Sequence, residues 1–222
     1  MAPAPAPEPP VDTTAERVAR RLVSAAASRA EVSRALEEKL GPLVAGYGGT
    51  IEPDGALVFP ETVLFEAGKS EITPRLRGFL SAICLPWFRT LKPYGTAISD
   101  LRIEGHASTE WIGATPEEAY LGNLALSQAR AQAVLSTCLA IVPGAEGSWA
   151  RDRATAVGYS SSHPVVVDGQ EDKVRSRRVV FRVDYDLNEV IDDIRRDVEA
   201  SGPFPGLGGD KVPVFSDVPP PQ

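Results

Sequence analysis

The sequence predicts an α+β fold, a two-layer β-α-β-α-β-β sandwich with helices on one face of a mixed four-stranded sheet. Two kinds of segment alternate along the chain. Short segments have alternating apolar and polar residues, and longer segments have apolar residues at helical spacing. Glycine and proline stand at most of the boundaries between these segments. Further amphipathic segments lie before and after this core, so an additional helix is expected at each end.

The N-terminal part is predicted to be a linker over residues 1–12 and an amphipathic helix over residues 13–41. Residues 2–10 read APAPAPEPP, which is typical of a stiff polyproline spacer, although a flexible terminus explains the composition equally well. Thr13 and Glu16 suit a capping box, and Gly41 suits a helix stop. The apolar residues near heptad spacing are Val18, Leu22, Ala25, Val32 and Leu36. We expect this helix to pack on the domain or on a second copy, since Arg29 interrupts a coiled-coil seam.

Residues 50–200 are predicted to form the folded domain together with a C-terminal helix. Its first half has β-type runs at Ala56–Phe59 and Val63–Phe65, followed by a turn at Gly68 and Lys69. Thr73 is expected to cap a helix that has Pro74 in its first turn. The core-facing stripe of this helix is Leu76, Phe79, Leu80, Ile83 and Trp87.

The second half of the domain continues the alternation of strands and helices. Leu101–His106 has period two, a polar loop covers residues 107–116, and a long helix covers residues 117–140. The expected stripe of that helix is Leu124, Ala131, Leu135, Cys138 and Val142. Thr155–Tyr159 and Arg178–Tyr185 are predicted strands, a last helix follows Asp186 to Gly202, and residues 201–222 are expected to be a disordered tail rich in Pro and Gly.

Composition limits the classes of function. The formal net charge of −7 lacks the basic field that non-specific nucleic-acid binding needs, so no nucleic-acid partner is expected. Two cysteines and two histidines show no zinc spacing, and no metal or cofactor is expected. Cys84 and Cys138 lie in apolar helical runs, which favours buried thiols, with a disulfide between them as the alternative.

The chain shows neither a signal peptide after Met1 nor a continuous apolar stretch of membrane-spanning length. Two locations are therefore expected from the sequence. The domain lies in the cell envelope or periplasm if a membrane anchor precedes Met1 in the full-length protein. It lies in the cytoplasm if Met1 is the native start.

Four motifs occur in a fixed order between residues 55 and 185. They are Val63-Leu64-Phe65 with Gly68-Lys69-Ser70 and Ile72; Ile103-Glu104-Gly105-His106; Asn123 to Ala131, which reads NLALSQARA; and Gly158-Tyr159 with Pro164 and Arg177-Arg178-Val179. Any one of them is weak evidence, but the ordered set resembles the OmpA C-terminal family, which includes Pal and MotB. The resemblance is nearest to the MotB-like branch.

The third motif places polar residues on one helix face. Asn123, Ser127 and Arg130 are spaced i, i+4, i+7. The resemblance implies non-covalent binding of the diaminopimelate residue of the peptidoglycan stem peptide. It also implies that Arg130 takes the ligand's carboxylate in bidentate fashion and that Asn123 contacts the ligand or a loop. Considered alone, an arginine on a helix more often lies in solvent or pairs with a glutamate.

The sequence departs from the family at the strand-end motif, which is normally Gly-His-Thr-Asp. His106 keeps its place in the expected binding set, but Ser108 stands where the family has an aspartate that pairs with the ligand's ammonium group. A hydroxyl brings no charge, so weaker binding is predicted. Glu110 is one candidate for the missing carboxylate, although acids in this loop can simply be solvated. Trp111 is equally suited to stacking on a sugar ring or a partner and to covering the core.

Arg177 completes the expected binding set. It belongs to Ser176-Arg177-Arg178, which replaces the family's Asn-Arg-Arg. Since Arg177 and Arg178 are neighbours at the start of a strand, they point to opposite faces, and one of them is expected to face the site. For at least one of the two, structural pairing with an aspartate or glutamate is the favoured role.

The leading functional hypothesis is a peptidoglycan-binding anchor of a MotB-like stator or of an envelope or defence motor. The resemblance implies a homodimer and a MotA-like membrane channel subunit, reached through an anchor absent from this sequence. The alternative is an OmpA-like interaction or dimerisation scaffold that has lost peptidoglycan binding. An enzyme is not expected, because His106, Ser108 and Glu110 lack the nucleophile-elbow motif that would support them as a hydrolytic set.

Overall fold

The computed structural model describes residues 14–186, 191, 192, 194–196 and 199. The chain divides into two units, and the larger one is formed by Ser24–Leu187. The predicted linker, the predicted tail and most of the predicted C-terminal helix lie outside the described residues and stay predictions. Residues 191, 192, 194–196 and 199 are helical.

The larger unit is built on a mixed sheet of five strands. The strands are β1 (Thr50–Ile51), β2 (Leu57–Pro60), β3 (Ile98–His106), β4 (Ala154–Gly158) and β7 (Arg178–Tyr185), in the spatial order β1-β2-β7-β3-β4. Only the β3–β4 pair is parallel. The predicted fold class is confirmed, and β1 adds a fifth, edge strand of two residues, too short for periodicity to reveal. A separate hairpin pairs β5 (Val166–Val167) with β6 (Gln170–Glu171).

The helices lie between the strands along the chain. They are α1 (Thr14–Gly46), α2 (Glu61–Leu64), α3 (Pro74–Leu91), α4 (Pro116–Ile141), α5 (Gly144–Arg151) and α6 (Lys173–Ser176), and a 3-10 turn covers Lys92–Tyr94. The short α5 and α6 were not predicted. α3 follows the prediction closely, since the Thr73 side chain accepts a hydrogen bond from the Leu76 amide and every residue of the predicted stripe is buried.

α1 is longer than predicted. It passes through the expected stop at Gly41 and through Pro42 to reach Gly46. Leu40 and Val44 are fully buried, so packing of the last turns outweighs the local helix-breaking tendency of Gly-Pro. From the predicted seam, Val32 and Leu36 are buried, whereas Leu22 is exposed.

The predicted strand at Val63–Phe65 is wrong, because Val63 and Leu64 are the last two residues of the helical turn α2 and Phe65 is its C-cap. Pro60 ends β2 opposite Arg178, and its ring fixes φ at −58°, a value compatible with helix entry. The Glu61 amide still donates to the Arg177 carbonyl, so the chain turns into α2 directly at the sheet. This change of direction leaves Glu61 buried rather than at the surface.

The core lies between the sheet and α1, α3 and α4. Its centre is an aromatic cluster in which Phe59 makes edge-to-face contacts with Phe79 and Phe181, and Trp87 makes one with Phe181. The ring centroids in these pairs are 4.8, 5.7 and 5.2 Å apart. The alternation predicted for β7 is confirmed, because Val179, Phe181 and Val183 all enter this core.

A disulfide joins Cys84 of α3 to Cys138 of α4, so the favoured prediction of free thiols is wrong. The two helices pack side by side and bring the Cα atoms to 5.5 Å, a normal separation for a disulfide. Both cysteines are fully buried. Their positions 54 residues apart in the sequence did not indicate this contact.

α4 lies directly on the backbone of β3. A Cβ atom added at Gly105 would lie 2.1 Å from the Ser127 carbonyl oxygen, and one added at Gly158 of β4 would lie 2.5 Å from the Gln128 amide nitrogen. These two glycines therefore set how closely α4, which carries Asn123 and Arg130 of the predicted site, approaches the sheet.

Gly105→Ala is expected to lower the free energy of unfolding by about 2 kcal/mol, because the helix backbone must move to admit one methyl group. The matched control is Gly78→Ala on α3, where nothing lies within 4 Å of the added atom. That change should raise the free energy of unfolding by about 0.5–1 kcal/mol through helix propensity. Urea denaturation measures both. Equal stability of Gly105→Ala and the wild type would contradict the direct packing of α4 on β3.

Candidate functional site

A cleft of about 720 Å³ opens where the β3–α4 loop faces α2 and the turn that follows it. Its polar lining consists of Glu61, Thr62, Ser108, Glu110, Asn123, Arg130 and Arg177, and its apolar lining includes Phe65, Trp111, Ile112 and Leu126. Five of the six predicted binding residues therefore meet in one cleft. His106 is the exception.

Arg130 is buried at the base of this arrangement and is held from three sides. Its Nε donates to the Lys69 carbonyl at 2.8 Å, and its Nη2 donates to the Glu66 carbonyl at 3.3 Å and to Glu61 Oε1 at 2.5 Å. The guanidinium carbon lies 5.2 Å from the centre of the Phe65 ring. The carbonyls come from the predicted turn, where Gly68 has a φ of +68°. Arg130 lines the cleft, and within the described part of the chain Nη1 is the guanidinium nitrogen that makes no hydrogen bond.

Glu61 is the residue that sequence analysis missed. Its side chain is 10% exposed, and its second carboxylate oxygen lies 3.3 Å from Arg177 Nε, so one carboxylate bridges two guanidinium groups. Pairing with a glutamate was the alternative role considered for Arg130. The structure shows this pair, and the partner is Glu61, 69 positions away in the sequence. No motif marked Glu61. The only available signal was Pro60, which directs the chain out of the strand.

Ser108 and Glu110 both contact the guanidinium group of Arg177. Arg177 Nη1 donates to Ser108 Oγ at 3.2 Å and to Glu110 Oε2 at 2.9 Å, while Lys173 Nζ donates to Glu110 Oε1 at 3.0 Å. The hydrogen bond from Lys173, with the charges of Lys173 and Arg177, holds the pKa of Glu110 below its ordinary value. Glu110 thus stands beside Ser108 as an ionised carboxylate, half exposed and already in contact with two cations.

Asn123 holds the loop that forms one wall of the cleft. Its Nδ2 donates to the carbonyls of Ser108 at 3.0 Å and Glu110 at 3.4 Å. Of the two roles expected for Asn123, loop contact is the one that the geometry displays. The same loop is tied to β6, because Thr109 Oγ1 donates to Glu171 at 2.6 Å.

Trp111 lies over the first half of α4. A Cβ added at Gly122 would lie 2.9 Å from the Trp111 ring, and 43% of the Trp111 residue remains exposed at the cleft. The indole therefore covers a helix surface and still presents area to a ligand, so the two interpretations of this residue are compatible.

His106 lies outside the cleft. It alternates with Ile103 and Gly105 along β3 and so points to the sheet face opposite the helices. Its Nε2 lies 3.2 Å from Glu104 Oε2, and its ring stacks on Tyr159 with the centroids 5.1 Å apart. Burial is the main reason that the pKa of His106 lies below its ordinary value, despite the neighbouring Glu104 carboxylate.

The sheet face around His106 carries a network of charged side chains. Glu104 is buried and contacts Arg182 Nε at 2.9 Å and Arg102 Nε at 3.2 Å. Burial alone would raise the pKa of Glu104, but the hydrogen bond to His106 and these arginines hold it below the ordinary value. Because His106 bonds Glu104 while Ser108 bonds Arg177, the hydrolytic set considered from the sequence is not assembled.

Two further properties of the described residues concern metals and membranes. No group of three His, Cys, Asp or Glu side chains in residues 14–186 is placed to hold a metal ion. α4 is long and apolar enough, by length and composition, to cross a membrane, but core helices pass the same test. α4 packs on β3, β4 and α3 and buries Asn123, Ser127 and Arg130, as a core helix does.

Comparison with known proteins gives one relative by sequence and several by structure. No protein-family model matches the chain. The Zorya protein ZorB of Escherichia coli is 43% identical over 124 residues, which are 54% of this chain and 53% of that protein. A putative MotB-like protein from Desulfovibrio vulgaris superposes with a TM-score of 0.51 at 18% identity, covering 77% of this chain and 99% of that one. The cell wall anchor of the T6SS from Pseudomonas aeruginosa gives a TM-score of 0.48 at 22% identity, covering 68% and 97%.

These comparisons confirm the resemblance to OmpA-like and MotB-like domains that the four motifs predicted. The Desulfovibrio structure supports the fold, and the ZorB similarity connects the chain to a named subunit at the level of sequence. The chain spans about half the length of that curated relative.

Proposed function

We propose that this chain is the peptidoglycan-binding anchor of a MotB-like stator or of a related envelope or defence motor. The observation that carries the proposal is Arg130, whose guanidinium lines the cleft and is fixed there by two carbonyls and a carboxylate. The 43% identity to ZorB supports a motor subunit over other users of the fold.

The proposed ligand is the diaminopimelate residue of a stem peptide, which carries a carboxylate and an ammonium group on one carbon. Arg130 would receive the carboxylate through Nη1, the guanidinium nitrogen whose N–H groups are not used in the contacts with Lys69, Glu66 and Glu61. The ammonium would face Glu110 and Ser108, the groups nearest to the family's aspartate position. Trp111 and Ile112 would flank the rest of the peptide. No bond is made or broken in this binding, so the role is anchoring and not catalysis.

Co-sedimentation of the purified chain with isolated peptidoglycan sacculi tests the proposal. The wild type should bind, and Arg130→Lys should weaken binding at least about tenfold, since lysine keeps the charge beside Glu61 but loses the planar fork. The matched control is Arg77→Lys, which alters an exposed arginine on α3 and should bind like the wild type. Glu110→Gln should weaken binding about threefold to tenfold if its carboxylate faces the ammonium.

Each arm of this experiment has a contradicting outcome. A wild-type chain that does not sediment with sacculi would overturn peptidoglycan binding. Unchanged binding by Arg130→Lys would remove the guanidinium fork from the site, and unchanged binding by Glu110→Gln would remove Glu110.

Partners and location follow from the same proposal. The domain would lie in the periplasm, work as a homodimer and join a MotA-like channel subunit through a membrane anchor. The Cys84–Cys138 disulfide favours this location, because such bonds persist in oxidising compartments and are rare in the cytoplasm.

A scaffold that has lost peptidoglycan binding is the second candidate. One observation favours it: both arginines of the cleft are already bound by internal carboxylates, Glu61 and Glu110. A wild-type chain that fails to bind sacculi would select this candidate, and a protein partner would then be sought.

A further inference from the structure

The inner part of the cleft is electrically balanced. Arg130 and Arg177 each carry one positive charge, and Glu61 and Glu110 each carry one negative charge, with ion-pair distances between 2.5 and 3.3 Å. Glu61 makes the larger contribution to this balance, because it contacts both guanidinium groups while Glu110 contacts only Arg177 and shares its charge with Lys173. Lys173 adds a third positive charge on the outer side of Glu110, but a carboxylate that enters beside Arg130 meets a guanidinium already paired with Glu61.

The two glutamates differ in how strongly water screens them. The Glu61 side chain is 10% exposed and that of Glu110 is 51% exposed. Charges act more strongly on one another where water is excluded. Glu61 is therefore the carboxylate that a ligand's charge meets with least screening.

We propose that Glu61 is the specificity-determining residue of the cleft, since its buried carboxylate, shared by Arg130 and Arg177, admits a ligand carboxylate only together with an ammonium group. For peptidoglycan as the ligand, this inference rests on the proposed function. It explains why the cleft would prefer a stem-peptide end that carries both a carboxylate and an ammonium group. The charge selection itself concerns the cleft and does not depend on the cell wall.

The physical reason lies in the cost of an unpaired buried charge. A ligand with only a carboxylate places a third negative group beside two arginines that are already neutralised, and like charges at close range disfavour binding. A ligand that brings an ammonium group supplies the missing positive charge and can displace or share the contacts of Glu61. Selection by repulsion of the wrong ligand is a common source of specificity.

Glu61→Gln separates this role from a merely structural one. Glutamine keeps nearly the same shape, and its amide oxygen can still accept the hydrogen bond from Arg130 Nη2, but it removes the negative charge. The matched control is Glu66→Gln, which removes the same charge from an exposed side chain five positions along the chain. Only the backbone carbonyl of Glu66 contacts Arg130, and the control leaves it in place.

The test uses the full chain and two probes that differ only in their amino groups: meso-diaminopimelate and pimelate, the same dicarboxylate without them. Binding is followed through the backbone amide resonances of the cleft during NMR titration. We expect the wild type and Glu66→Gln to prefer meso-diaminopimelate. Glu61→Gln should bind pimelate at least about tenfold more tightly than the wild type does, and Arg130→Lys added to it should reverse that gain.

Two results would overturn the proposal. One is pimelate affinity that Glu61→Gln leaves unchanged, and the other is loss of both probes by a variant that remains folded, which would make Glu61 only a support for Arg130. If the wild type binds neither sacculi nor meso-diaminopimelate, the proposed function fails. Pimelate binding gained by Glu61→Gln would still support charge selection in that case, and its absence would refute it.

Discussion

Arg130→Ala is expected to lower the free energy of unfolding by about 3 kcal/mol, because it leaves the buried Glu61 carboxylate without its main partner. Arg177 remains 3.3 Å from Glu61 and compensates only in part. The carbonyls of Glu66 and Lys69 also lose the donors that hold their turn against α4. Urea denaturation followed by the fluorescence of the buried Trp87 measures the change.

The double variant Arg130→Ala/Glu61→Gln tests whether the unpaired Glu61 carboxylate causes the loss of stability. Removing the unpaired charge should restore part of the lost stability, so the two substitutions should be clearly non-additive. Arg77→Ala on the exposed face of α3 is the control and should stay within about 0.5 kcal/mol of the wild type. Additive effects, or a stability of Arg130→Ala equal to that control, would contradict the buried pair.

This structural role affects how binding experiments on Arg130 are interpreted. Loss of peptidoglycan binding in Arg130→Ala has two explanations, a missing ligand contact and a disturbed cleft. Arg130→Lys keeps a positive charge next to Glu61, so its effect on binding reports mainly on the guanidinium fork.

Replacing both Cys84 and Cys138 with serine is expected to lower the free energy of unfolding by about 4 kcal/mol, because the disulfide closes a loop with a sequence separation of 54 residues. The crosslink joins α3 to α4 and so restricts the unfolded chain across the centre of the domain. For a domain of this size the melting temperature should fall by roughly 10 °C, as measured by differential scanning calorimetry.

Reduction of the wild type serves as the companion measurement. A reductant present during unfolding should shift the wild type toward the double variant and leave the double variant unchanged. A wild type whose melting temperature does not respond to the reductant, and equals that of the double variant, would show that the two thiols are not joined.

Several elements were predictable because their signal is local. The alternation in Arg178–Tyr185 and Leu101–His106 depends only on which residues face the core, and β7 and β3 follow it. Thr73 and Pro74 begin α3 through contacts within one helical turn. The order of the four motifs led to the OmpA-like and MotB-like resemblance, and with it to Arg130, Ser108, Asn123, Glu110 and Arg177 as members of one cleft.

Other elements were missed where a distant contact overrides a local preference. α1 continues past Gly41 because Leu40 and Val44 are buried, and Val63 and Leu64 belong to a helical turn because Pro60 ends β2 at the sheet. His106 shares a motif with Ser108, but the alternation of β3 places the imidazole on the opposite face of the sheet, within the Glu104 network.

The sequence by itself determined the strands β3 and β7, the start and core-facing stripe of α3, and the candidate arginine, since each depends on residues close together in the chain. Only the tertiary structure decided the electrostatics of the cleft and the crosslink of its supporting helices. Glu61 and Arg130 are 69 positions apart, and Cys84 and Cys138 are 54 apart. Their meeting depends on how closely α4 packs against β3 and α3, which is a property of packing in three dimensions that no local pattern of residues encodes.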